Sequence, residues 1–380
     1  MKVLILNEGL EKLGHTEKRC AVSPSSVKRM VNRGVTVVVQ KNAGVLSGYA
    51  DADFTEVGAS LVENADEALK ETDLLLCVNQ PEEAVYSQLK ANAIVVGHID
   101  PFFQQSLVES LAARKLTTLS VEMIPRSSRA QKMDALSSQA SLAGYVMVMQ
   151  ATTHLPSILP MMMTPSGTIK PAKVYIIGAG VAGLQAIATA KRLGANVLAY
   201  DTRPVVAEQV ESLGGKFLKI DLGETGQTKD GYAKELTDEQ KTLQAQLMAE
   251  VIQSSDCVIT TAQVPGRKAP LLIPAEVVAG MRPGSVIVDM AADSGGNCAL
   301  SQPGKEGGAH GVCIIGTSNL PGTVAHSCST LYANNLVTFL TELVDDEGQP
   351  DLNLENEVIA GPLACHRGEV THPRILEILS

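Results

Sequence analysis

Residues 173–195 read KVYIIGAGVAGLQAIATAKRLGA. An apolar, β-branched run leads into three glycines spaced G-x-G-x-x-G, and a helical pattern follows. That context turns a weak glycine motif into a dinucleotide-binding βαβ start. Gly178 permits the tight turn, Gly180 lets backbone approach a pyrophosphate, and Gly183 allows close helix–sheet packing. Val181 and Ala182 lie in the same loop, at a helix N-terminus whose unpaired N–H groups face the anion.

The next strand, NVLAYD, ends on Asp201, 23 residues beyond Gly178. A carboxylate there accepts the hydroxyl hydrogens of an adenosine ribose and repels a 2′-phosphate, which favours NAD(H) over NADP(H). Thr202 follows, then Arg203, whose guanidinium could accommodate such a phosphate. Further on, Thr260-Thr-Ala-Gln-Val-Pro-Gly266-Arg-Lys268 follows another strand. Ligands bind at the carboxyl ends of strands in open α/β sheets, so Gln263, Val264, Pro265 and Gly266 are expected to line the groove. Asp289-Met-Ala-Ala-Asp293-Ser-Gly-Gly296-Asn297 ends the strand after it, where Gly295-Gly296 reads equally as close backbone approach or as a simple turn.

Working outward, short β-branched runs alternate with amphipathic segments in both halves, the rhythm of α/β architecture. Val3–Leu6, Val35–Val39, Leu74–Val78, Ile94–Val96 and Thr117–Val121 read as buried parallel strands of one series. Val174–Ile177, Val197–Tyr200, Cys257–Thr261, Val286–Asp289 and Val312–Ile315 form a second. Ser23 and Pro24 start a helix that Gly34 ends. Ser128–His154 and Ser327–Leu343 are expected to be long helices, Glu224–Lys241 a polar, mobile excursion, and Glu357–Ser380 a tail returning to the first series. Met161-Met-Met-Thr-Pro-Ser-Gly-Thr-Ile169 reads as a protruding hairpin, either a surface loop or a dimer contact. The expected fold is two Rossmann-like, doubly wound parallel-sheet domains, residues 1–137 plus 328–380 and residues 138–327. Two long helices join them, with the cofactor in the interdomain cleft.

A chain of 380 residues suits two cores. Its net charge of −10 argues against a nucleic-acid surface. Seven scattered cysteines without a CxxC pair read as reduced thiols of a reducing compartment, and neither they nor the histidines show metal spacing. No metal is expected. The N-terminal run is too short for a signal peptide, and no stretch of about 20 apolar residues is present to span a bilayer.

Two stretches go further: Pro125-Arg126-Ser-Ser-Arg129-Ala-Gln131-Lys-Met-Asp134-Ala-Leu-Ser137-Ser-Gln-Ala-Ser-Leu-Ala-Gly144-Tyr145, and the glycine run with Gly231-Tyr232-Ala-Lys-Glu235 downstream. Together they resemble the soluble NAD(H)-binding alpha subunit (domain I) of proton-translocating NAD(P) transhydrogenase, over essentially the whole chain. The resemblance implies that Arg126, Gln131 and Asp134, with Ser137 beside them, hold the nicotinamide and its ribose. It also implies that Tyr232 belongs to a segment closing over bound nucleotide. NAD(H) would be an exchangeable substrate here and NADP(H) would sit on a partner subunit. An integral membrane subunit would conduct the protons, and this component would be a homodimer on the inner face of the cytoplasmic membrane. Hydride passing between two nicotinamides needs no general acid or base, only rings held about 3–3.5 Å apart and shielded from water.

A second reading is an alanine dehydrogenase, which shares the two-domain plan and would use His98 and Asp293. Asn79, however, stands where that family keeps its substrate lysine. A third is a non-catalytic NAD(H)-sensing module, which the presence or absence of hydride transfer with the partner would discriminate.

Overall fold

The computed structural model describes residues 1–9, 11–12, 15–221, 237–264, 266–345 and 347–379. The described chain forms two compact units. The first comprises Met1–Lys12, Thr16–Gln139 and Gly322–Ser380, and the second is in the main Ala140–Pro321.

In the first unit, six parallel strands run in the spatial order Ser60–Val62, Thr36–Gln40, Lys2–Ile5, Leu74–Leu76, Ile94–Gly97 and Thr117–Ser120. Alternate residues feed two separate apolar clusters: Val3, Ile5, Leu74, Leu76 and Val96 on one face, Leu4, Leu75 and Val95 on the other. Because both faces are covered, these strands need continuous apolar runs rather than alternation. The second unit repeats the plan with Lys216–Phe217, Asn196–Tyr200, Lys173–Ile177, Cys257–Thr260, Val286–Asp289 and Val312–Gly316. In both units the chain starts in the middle of the sheet and reverses direction once, the doubly wound pattern.

Both sheets also carry antiparallel edges, which the expectation of parallel sheets omitted. Lys305–Ala309 pairs with Val312–Gly316 across a two-residue turn, His310 (φ 54°) and Gly311 (φ 77°). Leu363–His366 adds to Thr117–Ser120 and turns back through Arg367 (φ 52°) and Gly368 (φ 100°) into Glu369–Val370. Two consecutive left-handed residues give the turn whose twist matches a hairpin. The tail therefore does return to the first sheet.

Local chemistry sets the helix ends. Ser23 caps Pro24–Val31: its hydroxyl accepts the Ser26 N–H at 3.3 Å while Ser26 Oγ accepts the Ser23 N–H at 2.9 Å. The long helix runs Ala135–His154 and starts seven residues later than expected. Asp134 accepts from the Ser137 N–H (2.8 Å) and hydroxyl (2.6 Å), so its side chain closes the first turn, and Gln131–Met133 forms a separate 3₁₀ turn before it. The other long helix is Ala325–Leu340, and it ends three residues early. Of the expected excursion 224–241, residues 224–236 lie outside the described residues. Its last four begin a helix, Asp238–Ser254, capped by Thr237 and Gln240. Met162–Thr164 and Gly167–Ile169 form the hairpin, exposed throughout. All seven cysteines are thiols, six of them buried, and burial pushes Cys20 and Cys257 up to about 12. Among the described residues no helix is long and apolar enough to cross a membrane.

Candidate functional site

The sheet of the second unit reverses direction at Lys173–Ile177, where Ile177 pairs with Tyr200 on one side and Thr260 on the other. Chains leaving neighbouring strands in opposite directions open a crevice at their carboxyl ends. The three glycines that follow meet different demands. Gly178 adopts φ +97°, and a Cβ there would lie 2.4 Å from Thr261 Oγ1, whose hydroxyl donates to the Gly178 carbonyl at 3.2 Å. A Cβ on Gly183 would lie 1.9 Å from the Gly178 carbonyl oxygen, so strand exit and helix cannot close over any side chain. Gly180 is the N-cap of the helix Val181–Arg192, supplies no side-chain cap, and would place a Cβ within 4 Å of nothing. Val181 is exposed there, whereas Ala182 is buried against the long helix, where a Cβ on Gly144 would meet the Ala182 carbonyl oxygen at 2.2 Å.

Asp201 ends the neighbouring strand with its side chain only 7% exposed. Oδ2 accepts the Ala179 N–H at 2.8 Å, which ties the carboxylate to the glycine loop. Oδ1 accepts the Arg203 N–H at 2.9 Å, and the guanidinium forks the carboxylate, Nε to Oδ1 and Nη2 to Oδ2, both at 2.8 Å. Thr202, half-buried, lies between them in sequence.

On the opposite side of the crevice, Gln263 and Val264 are exposed, Gly266 has φ +70°, and Gln263 Nε2 donates to the Met290 carbonyl at 3.3 Å. Pro265 lies outside the described residues. The loop is held by Asn297, which accepts the Ala262 N–H at 3.1 Å and donates to the carbonyls of Ala262 (2.9 Å) and Pro270 (2.8 Å). Asn297 is fixed in turn by the buried Asp289, whose Oδ2 accepts its N–H at 2.9 Å while Oδ1 accepts the Thr260 hydroxyl at 3.0 Å. Sequence reasoning gave these two residues no role. Their only local signal is an acid at a strand end followed by Gly-Gly-Asn, and Gly295 and Gly296 both take left-handed φ there.

Arg126, Gln131, Asp134 and Ser137 lie in the first unit, Arg126 and Gln131 exposed and Asp134 bound to Ser137 as described. Tyr232 lies outside the described residues. Asp293, in the second unit, is exposed and accepts from the Ser318 hydroxyl.

The carboxyl end of the first sheet is filled instead by side chains. Glu8 accepts the N–H groups of Val78 (2.7 Å) and Asn79 (2.8 Å). Arg19 forks Glu17 at 2.9 and 2.8 Å and gives a third bond to Gln139 at 3.1 Å, while Asn79 Nδ2 donates to Glu17 at 3.0 Å. Burial works to raise the Glu17 carboxyl, yet the hydrogen bond and charge of Arg19 outweigh it and hold the group at about 2. His98 stacks on Tyr332 with ring centroids 5.4 Å apart, and its Nδ1 sits 3.6 Å from Glu122. Asp100 is pushed up to about 6, chiefly by burial and then by the Glu122 charge.

A doubly wound pair of units, one with a glycine-lined crevice, defines a Rossmann-type two-domain class. The chain belongs to the alanine dehydrogenase/PNT family: residues 10–143 match the model of its N-terminal domain and residues 147–373 that of its C-terminal domain. Within that family it is 44% identical to the first portion of the split NAD(P) transhydrogenase subunit alpha of Rhodospirillum rubrum, covering 94% of this chain and 96% of that one. It is 40% identical to the protein of the same description from Rickettsia prowazekii, covering 99% and 98%. A crystal structure of transhydrogenase from Sinorhizobium meliloti superimposes with a TM-score of 0.87 at 42% identity, over 97% of this chain and all of the other. The alanine dehydrogenase of Mycolicibacterium smegmatis stands further off, at 27% identity over 94% of this chain and 92% of that one.

Proposed function

We propose that this chain is the NAD(H)-binding component of a proton-translocating NAD(P) transhydrogenase, working with an NADP(H)-binding subunit and an integral membrane subunit. The observation that carries the nucleotide reading is the space at Gly180. A side chain there would strike no protein atom, so glycine answers to something other than folding, and a phosphate drawn against the helix N-terminus accounts for it.

The crevice residues fit that group. The first-turn N–H groups of Val181, Ala182 and Gly183 have no side-chain cap and are donors for a pyrophosphate. Asp201 is placed to accept ribose hydroxyls, and the Gln263–Gly266 loop, braced by Asn297, walls the other side. Arg126, Gln131, Asp134 and Ser137 would hold the nicotinamide and its ribose, with Tyr232 closing over them in the interdomain cleft. Amides, a hydroxyl and a capped carboxylate orient a ring without exchanging protons near neutral pH. Bound NADH supplies a hydride for direct transfer to a second nicotinamide, and the chain's role is to place the ring and exclude water. The parent assembly would hold this component as a homodimer on the inner face of the cytoplasmic membrane.

The amino-acid dehydrogenase alternative needs a cation to receive a substrate carboxylate. Here the Arg19 guanidinium is forked on Glu17, and the side chain at position 79 is an amide bound to the same carboxylate. The test is reconstitution. With an NADP(H)-binding partner, the purified chain should catalyse reduction of an NAD analogue by NADPH, and alone it should not. NAD-dependent oxidation of alanine to pyruvate by the chain alone would reverse the assignment.

A further inference from the structure

Arg203 occupies the position that a nucleotide ribose would need. A carboxylate offers about four lone-pair sites, and in this structure Asp201 fills that number: the Ala179 and Arg203 N–H groups take two, the guanidinium fork the others. The two backbone donors belong to the loop and stay with it. The fork is the replaceable pair, planar and bidentate, and a ribose 2′,3′-diol offers two O–H donors to the same edge of the carboxylate. Both side chains are largely out of solvent, 16% and 7% exposed, so this is no incidental surface contact.

We infer that Arg203 is an internal competitor for the ribose subsite, and that nucleotide binds here by exchanging the guanidinium fork for the diol. The inference rests on the NAD(H) reading above. Its consequence is that the 2′-hydroxyl gains less than its hydrogen bond to Asp201 is worth, because each bond made replaces one broken. A site of that kind recognises the ribose yet releases the nucleotide readily, as an exchanging substrate requires. Arg203 is thus a specificity-determining residue acting through Asp201.

Removing Arg203 also removes a positive charge near the pyrophosphate, so NADH affinity alone does not isolate the exchange. The measurement is the ratio of dissociation constants for the NADH analogue lacking the adenosine 2′-hydroxyl and for NADH itself, by calorimetry or dihydronicotinamide fluorescence. The two ligands carry equal charge, and long-range electrostatics cancel in the ratio. Arg203→Ala is expected to raise that ratio about three- to ten-fold over the natural chain, the scale of one hydrogen bond no longer offset. Arg203→Gln, neutral and closer in bulk, should move it the same way and decides the matter if the alanine variant does not fold. A ratio unchanged or lowered overturns the exchange. Failure of the natural chain to bind NADH at all instead overturns the NAD(H) assignment on which it rests.

Discussion

The two sheets share a strand order and differ at the point where it reverses. In the second unit the loop after the first strand is Gly-Ala-Gly, and the helix behind it begins with uncapped donors. In the first unit the corresponding loop carries Glu8, whose carboxylate binds the N–H groups of Val78 and Asn79 at the end of the adjacent strand. Behind it Glu17, Arg19 and Asn79 satisfy one another. One crevice is left for an external anion and the other holds an internal one. Topology supplies the opening in both cases, and the residues at the strand ends decide whether it is a site or a core.

The largest effect should come from breaking the filled crevice. Glu17→Gln leaves Arg19 buried without its counter-charge and should cost about 3 kcal/mol in denaturant unfolding at neutral pH. The same group gives a pH signature. Its folded carboxyl lies near 2 against 4.5 when unstructured, so its contribution is fully present above 4.5 and disappears as pH falls from 4.5 towards 2. The natural chain should lose about 3 kcal/mol from this source over that window, whereas the Gln variant should show no such component. Matching acid-unfolding curves for the two proteins would remove Glu17 from the account.

Next in size is Gly183→Ala. Its methyl group would lie 1.9 Å from the Gly178 carbonyl oxygen, and the forced separation of helix and strand should cost about 2 kcal/mol, read as a lowered melting temperature with or without nucleotide. Gly180→Ala should do the reverse. With no protein atom within 4 Å, it should change stability by about 0.5 kcal/mol or less, yet weaken NADH by at least about tenfold, worth ~1.4 kcal/mol. If both glycine variants lose stability equally, the distinction between a fold glycine and a ligand glycine is wrong.

Much of this is readable in the residues alone. The strands fell within a residue or two of their places because each is a short apolar run bounded by turn residues, and a strand covered on both faces tolerates little else. The glycine loop and Asp201 were readable because their spacing is set by one βαβ unit. The start of the long helix was misjudged because Asp134, an ordinary polar residue by composition, caps Ser137. The antiparallel edges were missed although His310-Gly311 and Arg367-Gly368 are hairpin turns in two letters. Runs such as Lys305–Ala309, KEGGA, carry no strand signal of their own.

The sequence by itself determined what is local: the period of each element, the glycines that admit left-handed or crowded backbone, and the acid one strand away. Tertiary structure alone decided which distant groups meet. It set Gly144 against the carbonyl of Ala182, braced the Gln263 loop with Asn297, and closed Glu17, Arg19 and Asn79 into a neutral buried cluster. Hydrogen bonds between residues dozens of positions apart depend on which strand lies beside which, and side-chain spacing along the chain does not record that.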